Sequence, residues 1–448
     1  MAALDRLWSL RRERPVFVAA SLGLLAFYAV YPFVDAWLRS IGVAPAFAFW
    51  DFGAYGGGVN RWLDGAPIYQ QNADGGYHQS FLYPPVVLLV FVPFLRVLPG
   101  LLGWLDGLLG GVVLLGPVVG ALASVRPAVL WIGTSALLLW VALLLVVREL
   151  GLGLSTRERL FLLWLLLGFQ PLLLAVKMGQ MAPFLVGLLS LSFVGILRGE
   201  EKWTGNRDGR LAAFASGAAT AVVGITKLTY AFAGAHLLAD RDRMTGAVAT
   251  GIALLAVSLL VFGVDIHVTY LDVLAWGIGQ GSSARTPALW LAPYYKPLFW
   301  IPGSLAVRIL AALLVSIGAV LAARDAIREV FALGVAAIPL FSPLTYTYYL
   351  VALLPAVVVL LAGELDRDGR PALLLAGLFL ASIHSYGLKF VVDVLPELLG
   401  LGSALRPVYP LLQPGLWGNA IIVGIAAVRV AQAARLSELA SEPATWEA

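Results

Sequence analysis

Residues 6–34 read RLWSLRRERPVFVAASLGLLAFYAVYPFV. Arg6, Arg11, Arg12 and Arg14 crowd its first part, and the stretch 15–34 that follows carries no charge. A run of about 20 apolar residues is the length an α-helix needs to cross hydrocarbon. A basic flank marks the cytoplasmic end of such a helix. The stretch therefore reads as a first membrane span with the N-terminus inside. No small-residue cleavage site follows, so it reads as an uncleaved start rather than a signal peptide.

The pattern recurs. Apolar runs occupy 15–34, 83–98, 101–123, 127–147, 159–176, 181–197, 211–226, 229–239, 245–263, 304–323, 330–342, 346–362, 371–389 and 414–430. Across 448 residues, 60% are hydrophobic and 12% charged, against the roughly 25% charged residues of a soluble domain. The fold expected is all-α, a polytopic integral membrane helix bundle of about 11–14 spans. It forms a single domain over 1–448 in the cell membrane. The pairs 211–226/229–239 and 330–342/346–362 are short enough to be broken helices or re-entrant hairpins, which need cover from protein or a water-filled cavity. The chain has no cysteine, which excludes disulfides, thiolate metal sites and cysteine nucleophiles. The net charge of +4 is modest, and no nucleic-acid partner is expected.

Arginines concentrate in 1–14, 96–100, 148–159, 198–210, 240–244, 324–329, 363–370 and the tail 431–448. The positive-inside rule assigns these segments, and both termini, to the cytoplasm. The few lysines break the rule: Lys177, Lys227, Lys296 and Lys389 fall at outer ends or outer loops, and only Lys202 falls inside. Snorkelling accounts for a single such lysine. Four at one depth point to a basic outer-face site for an anion, and a compact ammonium suits phosphate. The outer segments 35–82, 264–303 and 390–413 are long, as functional loops are. The second carries Tyr270, Trp276, Trp290, Tyr294, Tyr295, Phe299 and Trp300. These are either an interfacial belt or a platform for a sugar or isoprenoid.

Within the first outer loop, residues 49–69 read FWDFGAYGGGVNRWLDGAPIY. Phe52, Tyr55, Val59, Trp62 and Leu63 lie on one helical stripe, and DGAP at 64–67 supplies a turn. A short amphipathic helix in the outer interface is expected. Gly56, Gly57 and Gly58 weaken such a helix, so they point to close approach by another helix or a substrate. Asp51 would open the helix, either as its N-terminal cap or as a general base at the membrane edge. FLYPPVVLLVFVPF follows at 81–94, with a proline pair opening an apolar helix.

The acidic and aromatic first loop, LDGAPIY and then FLYPP before a run ending LP at 98–99, resembles glycosyltransferase family 87, a group of polytopic GT-C enzymes. KMGQMAPFLVGLL at 177–189, AVVGITKLTYAF at 221–232 and SPLTYTYYLVALLPA at 342–356 resemble the family's Gly-Gln, helix-end Lys and Ser-Pro-aromatic segments. The resemblance covers roughly residues 45 to 365. Some relatives carry histidine in the last segment; here Tyr346, Tyr348 and Tyr349 stand instead, and TKLTY lacks the Pro that often follows the family's Lys.

The resemblance implies an inverting transferase, a hexosyltransferase of class EC 2.4 and mannosyltransferase-like. It would take a mannose-like hexose or a pentose from a polyprenyl-phosphate donor on the extracytoplasmic face. The acceptor would be lipid-linked or a cell-envelope glycan. It implies that Asp51 is the catalytic base. The residues suit that chemistry, which needs a cation on the leaving phosphate and a base on the acceptor hydroxyl. Lys227, Lys177 and Lys296 are the candidates for the phosphate. Tyr55, Tyr83, Gln180, Tyr346 and His267 are the candidates for substrate binding, with His78 as a further outer-loop histidine. His384, inside a predicted span, reads as a packed and hydrogen-bonded residue. No metal site and no cofactor are expected. A different class, a transporter or flippase for an anionic or glycosylated lipid, also fits broken spans and lysines at the membrane edge.

Overall fold

The structure is a computed structural model that describes residues 3–77, 80–109, 125–200, 207–282, 294–295, 304–322, 326–342, 345–384 and 413–441. Its α-helices, in chain order, are α1 (Ala3–Ser9), α2 (Pro15–Ser40), α3 (Trp50–Leu63), α4 (Pro85–Leu108), α5 (Pro127–Glu149), α6 (Thr156–Gly168), α7 (Gln170–Met178) and α8 (Ala182–Gly199). There follow α9 (Arg207–Thr226), α10 (Arg241–Ser282), α11 (Ser304–Ala322), α12 (Ile327–Phe341), α13 (Leu353–Asp366), α14 (Pro371–Ser382) and α15 (Pro414–Ser441). Two 3-10 helices, Leu228–Ala239 and Thr347–Ala352, lie at breaks in the bundle. The described β-structure is one antiparallel pair, β1 (Tyr294–Tyr295) with β2 (Thr345–Tyr346), in the register Tyr294 opposite Tyr346. The architecture is thus the all-α polytopic bundle read from the sequence. Among the described residues, eight helices are long and apolar enough to cross a membrane. A ninth span arises if α6 and α7, bent by 74°, count as one. The bend falls at Phe169, whose backbone is extended, just before Gln170–Pro171; proline cannot continue the hydrogen-bond ladder of the helix before it.

α8, α12 and α13 form the buried centre. Packing around them relies on small residues, as it does where lipid gives helices no hydrophobic drive to associate. A Cβ on Gly217 of α9 would sit 1.8 Å from the Arg243 carbonyl oxygen, and one on Gly246 of α10 would sit 2.1 Å from that of Phe214. The two backbones therefore touch. A buried polar chain ties α8 and α9 to the first 3-10 helix: Ser192 Oγ meets Ser216 Oγ at 3.0 Å and Thr220 Oγ1 at 2.8 Å, and Thr220 meets His236 Nε2 at 3.2 Å. These contacts fix the break that follows Thr226, one of the two breaks expected from span length.

Segments assigned to the cytoplasm from charge gather at one end of the bundle. Arg14 bridges Asp368, Arg367 bridges Glu329 and Arg429 holds Glu364. Arg198 meets Glu149 at 2.7 Å and Arg328 meets Glu200 at 3.6 Å. The Leu4 amide donates to Glu158 at 3.3 Å.

Two sequence expectations are corrected. No turn forms at 96–100: α4 runs through, with a π-helical turn at Pro93–Val97. The wider turn absorbs the hydrogen bond that Pro93 cannot make. Arg96 consequently donates to Asn60 of α3 at 2.9 Å, so it lies beside the segment 35–82. Nor is 264–282 a loop. α10 continues to Ser282 across a kink at Gly263, where φ is 74° and ψ is 175°. Ile266, Tyr270, Val273 and Trp276 keep a helical stripe beyond the kink, and Val273 is buried. Tyr270 stacks on Tyr69 at 5.9 Å and Trp276 meets Tyr77 edge-on at 5.9 Å. Residues 264–282 thus pack over the segment 35–82.

Candidate functional site

The site begins at the turn between α7 and α8. Gly179 ends α7 at φ 75°, in the left-handed region, where only glycine is comfortable. A Cβ there would lie 2.7 Å from the Phe52 Cβ, so Gly179 also lets α3 sit down on the turn. Trp131 Nε1 donates to the Gly179 carbonyl at 3.2 Å. The Lys177 carbonyl accepts from the amides of Ala48 at 3.2 Å and Phe49 at 2.9 Å. Phe49 caps α3 in a left-handed conformation, φ 50° and ψ 34°, which is costly for an aromatic residue and is held by those contacts. The KMGQ segment therefore sets the entry angle of the helix that carries Asp51.

Asp51 is the second residue of α3 and makes no capping hydrogen bond. The capping alternative is corrected accordingly: Phe49 occupies the cap position. Asp51 Oδ2 is buried and has no hydrogen-bond partner among the described residues. Burial pushes its carboxyl above the usual carboxylate range, opposed by the Gln180 side chain and the Lys227 charge. One turn on, Tyr55 is buried and stacks on Phe91 at 4.3 Å. Its hydroxyl lies 3.3 Å from Tyr83 Oη and donates to Gln180 Oε1 at 3.3 Å. The Tyr69 hydroxyl donates to the Tyr83 carbonyl at 2.7 Å and so fixes the FLYPP segment. Of the glycine run, Gly58 is in the tightest contact: a Cβ would meet Leu88 at 2.9 Å and Phe81 at 3.1 Å. Its close approach is thus to the chain's own 81–88 segment.

Lys227 stands in the break between α9 and the 3-10 helix Leu228–Ala239, in extended backbone. Its ammonium lies 4.0 Å from the ring centroid of Tyr349, 5.4 Å from Tyr348, 5.7 Å from Tyr83 and 6.0 Å from Tyr230. Burial lowers the amine to about 7, with the charge of Asp51 pulling it back up. Tyr346 stacks on Tyr348 at 5.2 Å and meets Tyr349 edge-on at 6.1 Å, completing the wall. A carboxylate and an ammonium thus share one aromatic-walled site of low polarity, where charges act strongly on one another. Such a pair can take a proton from a hydroxyl and stabilise an anion.

Asp51, Tyr55, Tyr83, Gln180, Lys227 and Tyr346 therefore come together as the sequence proposed. The other candidates are placed differently or lie beyond description. Lys177 is fully buried in an ion pair with Asp35, which also accepts from Arg39 Nε at 3.1 Å; it acts on α3 through its carbonyl. His267 staples the α10 kink, with Nε2 at 2.7 Å from Ser258 Oγ and Nδ1 at 2.6 Å from the Gly263 carbonyl. Lys296, Lys389 and His78 lie outside the described residues. His384 is buried and its Nδ1 accepts from the Gly415 amide at 3.2 Å, the packed role read for it. Sequence reasoning passed over Tyr230, Tyr348 and Tyr349 as ligands of the site. Tyr230 stands three residues after Lys227, and Tyr348 and Tyr349 follow Tyr346 in the YTYY run. Among the described residues, no three His, Asp or Glu side chains gather to hold a metal.

A sequence model described as Glycosyltransferase family 87 matches residues 81–343, more than half of the chain. The match takes in Tyr83, Gln180, Lys227 and Tyr230; Asp51 and Tyr55 lie well before its start and Tyr346 just after its end. No curated protein and no solved structure gives a match.

Proposed function

The chain belongs to glycosyltransferase family 87, a membrane glycosyltransferase, and from that premise we propose an inverting transferase that uses a polyprenyl-phosphate sugar. It moves a mannose-like hexose or a pentose to a hydroxyl of a lipid-linked or glycan acceptor at the extracytoplasmic face. Membership in a glycosyltransferase family favours catalysis over the transporter or flippase reading.

One observation carries the proposal: Asp51, with a buried oxygen that has no partner among the described residues, faces the same aromatic site as the Lys227 ammonium. In the reaction the acceptor hydroxyl attacks C1 of the sugar. The bond from C1 to the phosphate oxygen breaks and its electron pair goes to the phosphate. The acceptor proton passes to Asp51. Attack from the face opposite the leaving phosphate inverts C1. A donor phosphodiester carries one negative charge and the departing monoester gains a second, so Lys227 binds the transition state better than the substrate. Tyr55, Tyr83, Gln180 and Tyr346 line the space for sugar hydroxyls. Sidedness rests on charge: the arginine-rich segments meet at one end of the bundle, and the positive-inside rule turns that end to the cytoplasm.

The test supplies purified protein in lipid vesicles with labelled polyprenyl-phosphate sugars and candidate acceptors. Transfer with a single, inverted anomer at C1 is expected. Movement of intact donor between leaflets with no transfer would favour the flippase instead.

A further inference from the structure

The first 3-10 helix places a tyrosine with an unused hydroxyl next to Lys227. The Tyr230 amide donates to the Lys227 carbonyl at 2.8 Å and closes the turn that holds the two residues together. The Tyr230 ring lies 6.0 Å from the ammonium and meets Tyr349 edge-on at 6.1 Å. The residue is 0% exposed, and its phenolic oxygen has no hydrogen-bond partner among the described residues. A phenylalanine would make the same ring contacts without leaving a buried hydroxyl unmet, a cost that native proteins mostly avoid. The hydroxyl therefore points to a ligand group that is an acceptor and sits within reach of Lys227.

We propose that Tyr230 is a second donor to the phosphate of the sugar donor, acting with Lys227; the inference rests on the polyprenyl-phosphate reading above. Lys227 supplies a charge, and Tyr230 supplies a directed O–H bond. As C1 separates from the phosphate oxygen, its electron pair stays on that oxygen. The phosphate goes from a singly charged diester to a monoester with a second charge. The hydrogen bond from Tyr230 strengthens along that path, and its proton stays on the phenol. Hydrogen bonds to charged groups are the strong ones, so the contact favours transition state and product over bound donor.

The test uses the full chain in detergent, with polyprenyl phosphate lacking sugar as the binding probe. Tyr230→Phe should weaken binding of this product, and lower kcat for transfer, by about 10- to 100-fold each. The ligand-free protein should melt at the wild-type temperature or above it, because an unmet hydroxyl has gone. A purely structural hydroxyl would instead lower the melting temperature and leave product affinity alone. Should the Phe variant fail to accumulate, 3-fluorotyrosine at position 230 gives a more acidic donor and should bind the product more tightly than wild type; unchanged binding would overturn the proposal. Wild-type protein that binds polyprenyl phosphate alongside a Phe variant that binds it equally well overturns Tyr230 alone. Wild-type protein that binds no polyprenyl phosphate removes the donor assignment and this inference together.

Discussion

The Lys227 ammonium sits 4.0 Å from the ring centroid of Tyr349. Among the described residues its close neighbours are ring faces, and Asp51 is the carboxylate whose charge it feels. An ammonium over a ring is held by the ring's negative face, which leaves its three N–H donors free for an incoming anion.

Replacing Lys227 should therefore act on donor binding first. Lys227→Ala should lose donor affinity and transfer. Lys227→Arg should recover only part, because a planar fork replaces a point charge among packed rings. Lys202→Ala, assigned by sequence to the cytoplasmic side, should change neither. Titration with a labelled donor reads this directly, and donor affinity unchanged in Lys227→Ala would move the phosphate to another cation.

The pH profile follows from the same pair. Asp51 must be ionised to accept a proton, and its carboxyl is raised by burial, so activity should climb with pH above the usual carboxylate range. Lys227 must be protonated to hold phosphate, and its amine is lowered to about 7, so activity should fall as pH rises through about 7. Stability moves the other way on the alkaline side. Between about 7 and the ordinary 10.5, the unfolded chain holds a proton that the folded one has released. The unfolded state binds more protons there, so stability rises with pH. Wild type should gain melting temperature relative to Lys227→Met from pH 7 to 9. A constant difference across that range would contradict the burial of this amine.

Gly179 is the position where the backbone tolerates least. Gly179→Ala meets both a φ of 75° and a Phe52 Cβ at 2.7 Å. The strain is worth about 1–3 kcal/mol, and the displaced turn carries Gln180 and the α3 entry. Thermal melting should drop and transfer should fall further than melting explains. Gly57→Ala, whose new Cβ would meet only the flexible Arg61 side chain at 3.3 Å, should be nearly silent in both assays.

The buried pair Asp35–Lys177 tests whether Lys177 holds phosphate. Asp35→Asn alone strands a buried charge and should cost about 3–5 kcal/mol. The double variant Asp35→Asn with Lys177→Met removes both charges and should recover most of that loss. If Lys177 serves α3 only through its carbonyl, the double variant keeps donor affinity. Loss of donor affinity in a stably folded double variant would return Lys177 to the phosphate site.

Much of this arrangement was legible in the chain. Charge-free runs and arginine flanks gave the bundle and its polar end. The short spans 211–226 and 229–239 gave the break that carries Lys227. The stripe Phe52, Tyr55, Val59 and Trp62 gave α3. What escaped has physical reasons. Lys177 and Lys227 look alike in sequence, since both follow an apolar run, and only the fold brings Asp35 to one and four rings to the other. The segment 96–100 read as a connection because a π-turn that absorbs proline leaves no separate signature. The stripe Ile266, Tyr270, Val273 and Trp276 was helical in pattern, but Gly263 hid the continuation of α10. Tyr230 needed the closed 3-10 turn before its ring could be placed beside Lys227.

Asp51 gives the sharpest test. It sits in the first turn of α3 without a capping bond, so its charge does little for the helix beyond a weak dipole effect. Burial, and an Oδ2 with no partner among the described residues, make its ionised form costly. Asp51→Asn keeps the shape and removes both charge and basicity. The variant should fold and insert at least as well as wild type and bind donor nearly normally. Loss of a positioned base costs about 10²–10⁴ in rate, so transfer should slow by at least about 100-fold. Asp64→Asn changes an exposed carboxylate at the other end of the same helix and should stay active. The two variants should differ in kcat while their melting temperatures stay close. Wild-type turnover by Asp51→Asn would remove Asp51 as the base and send the search to Asp74 and His78 in the same outer loop.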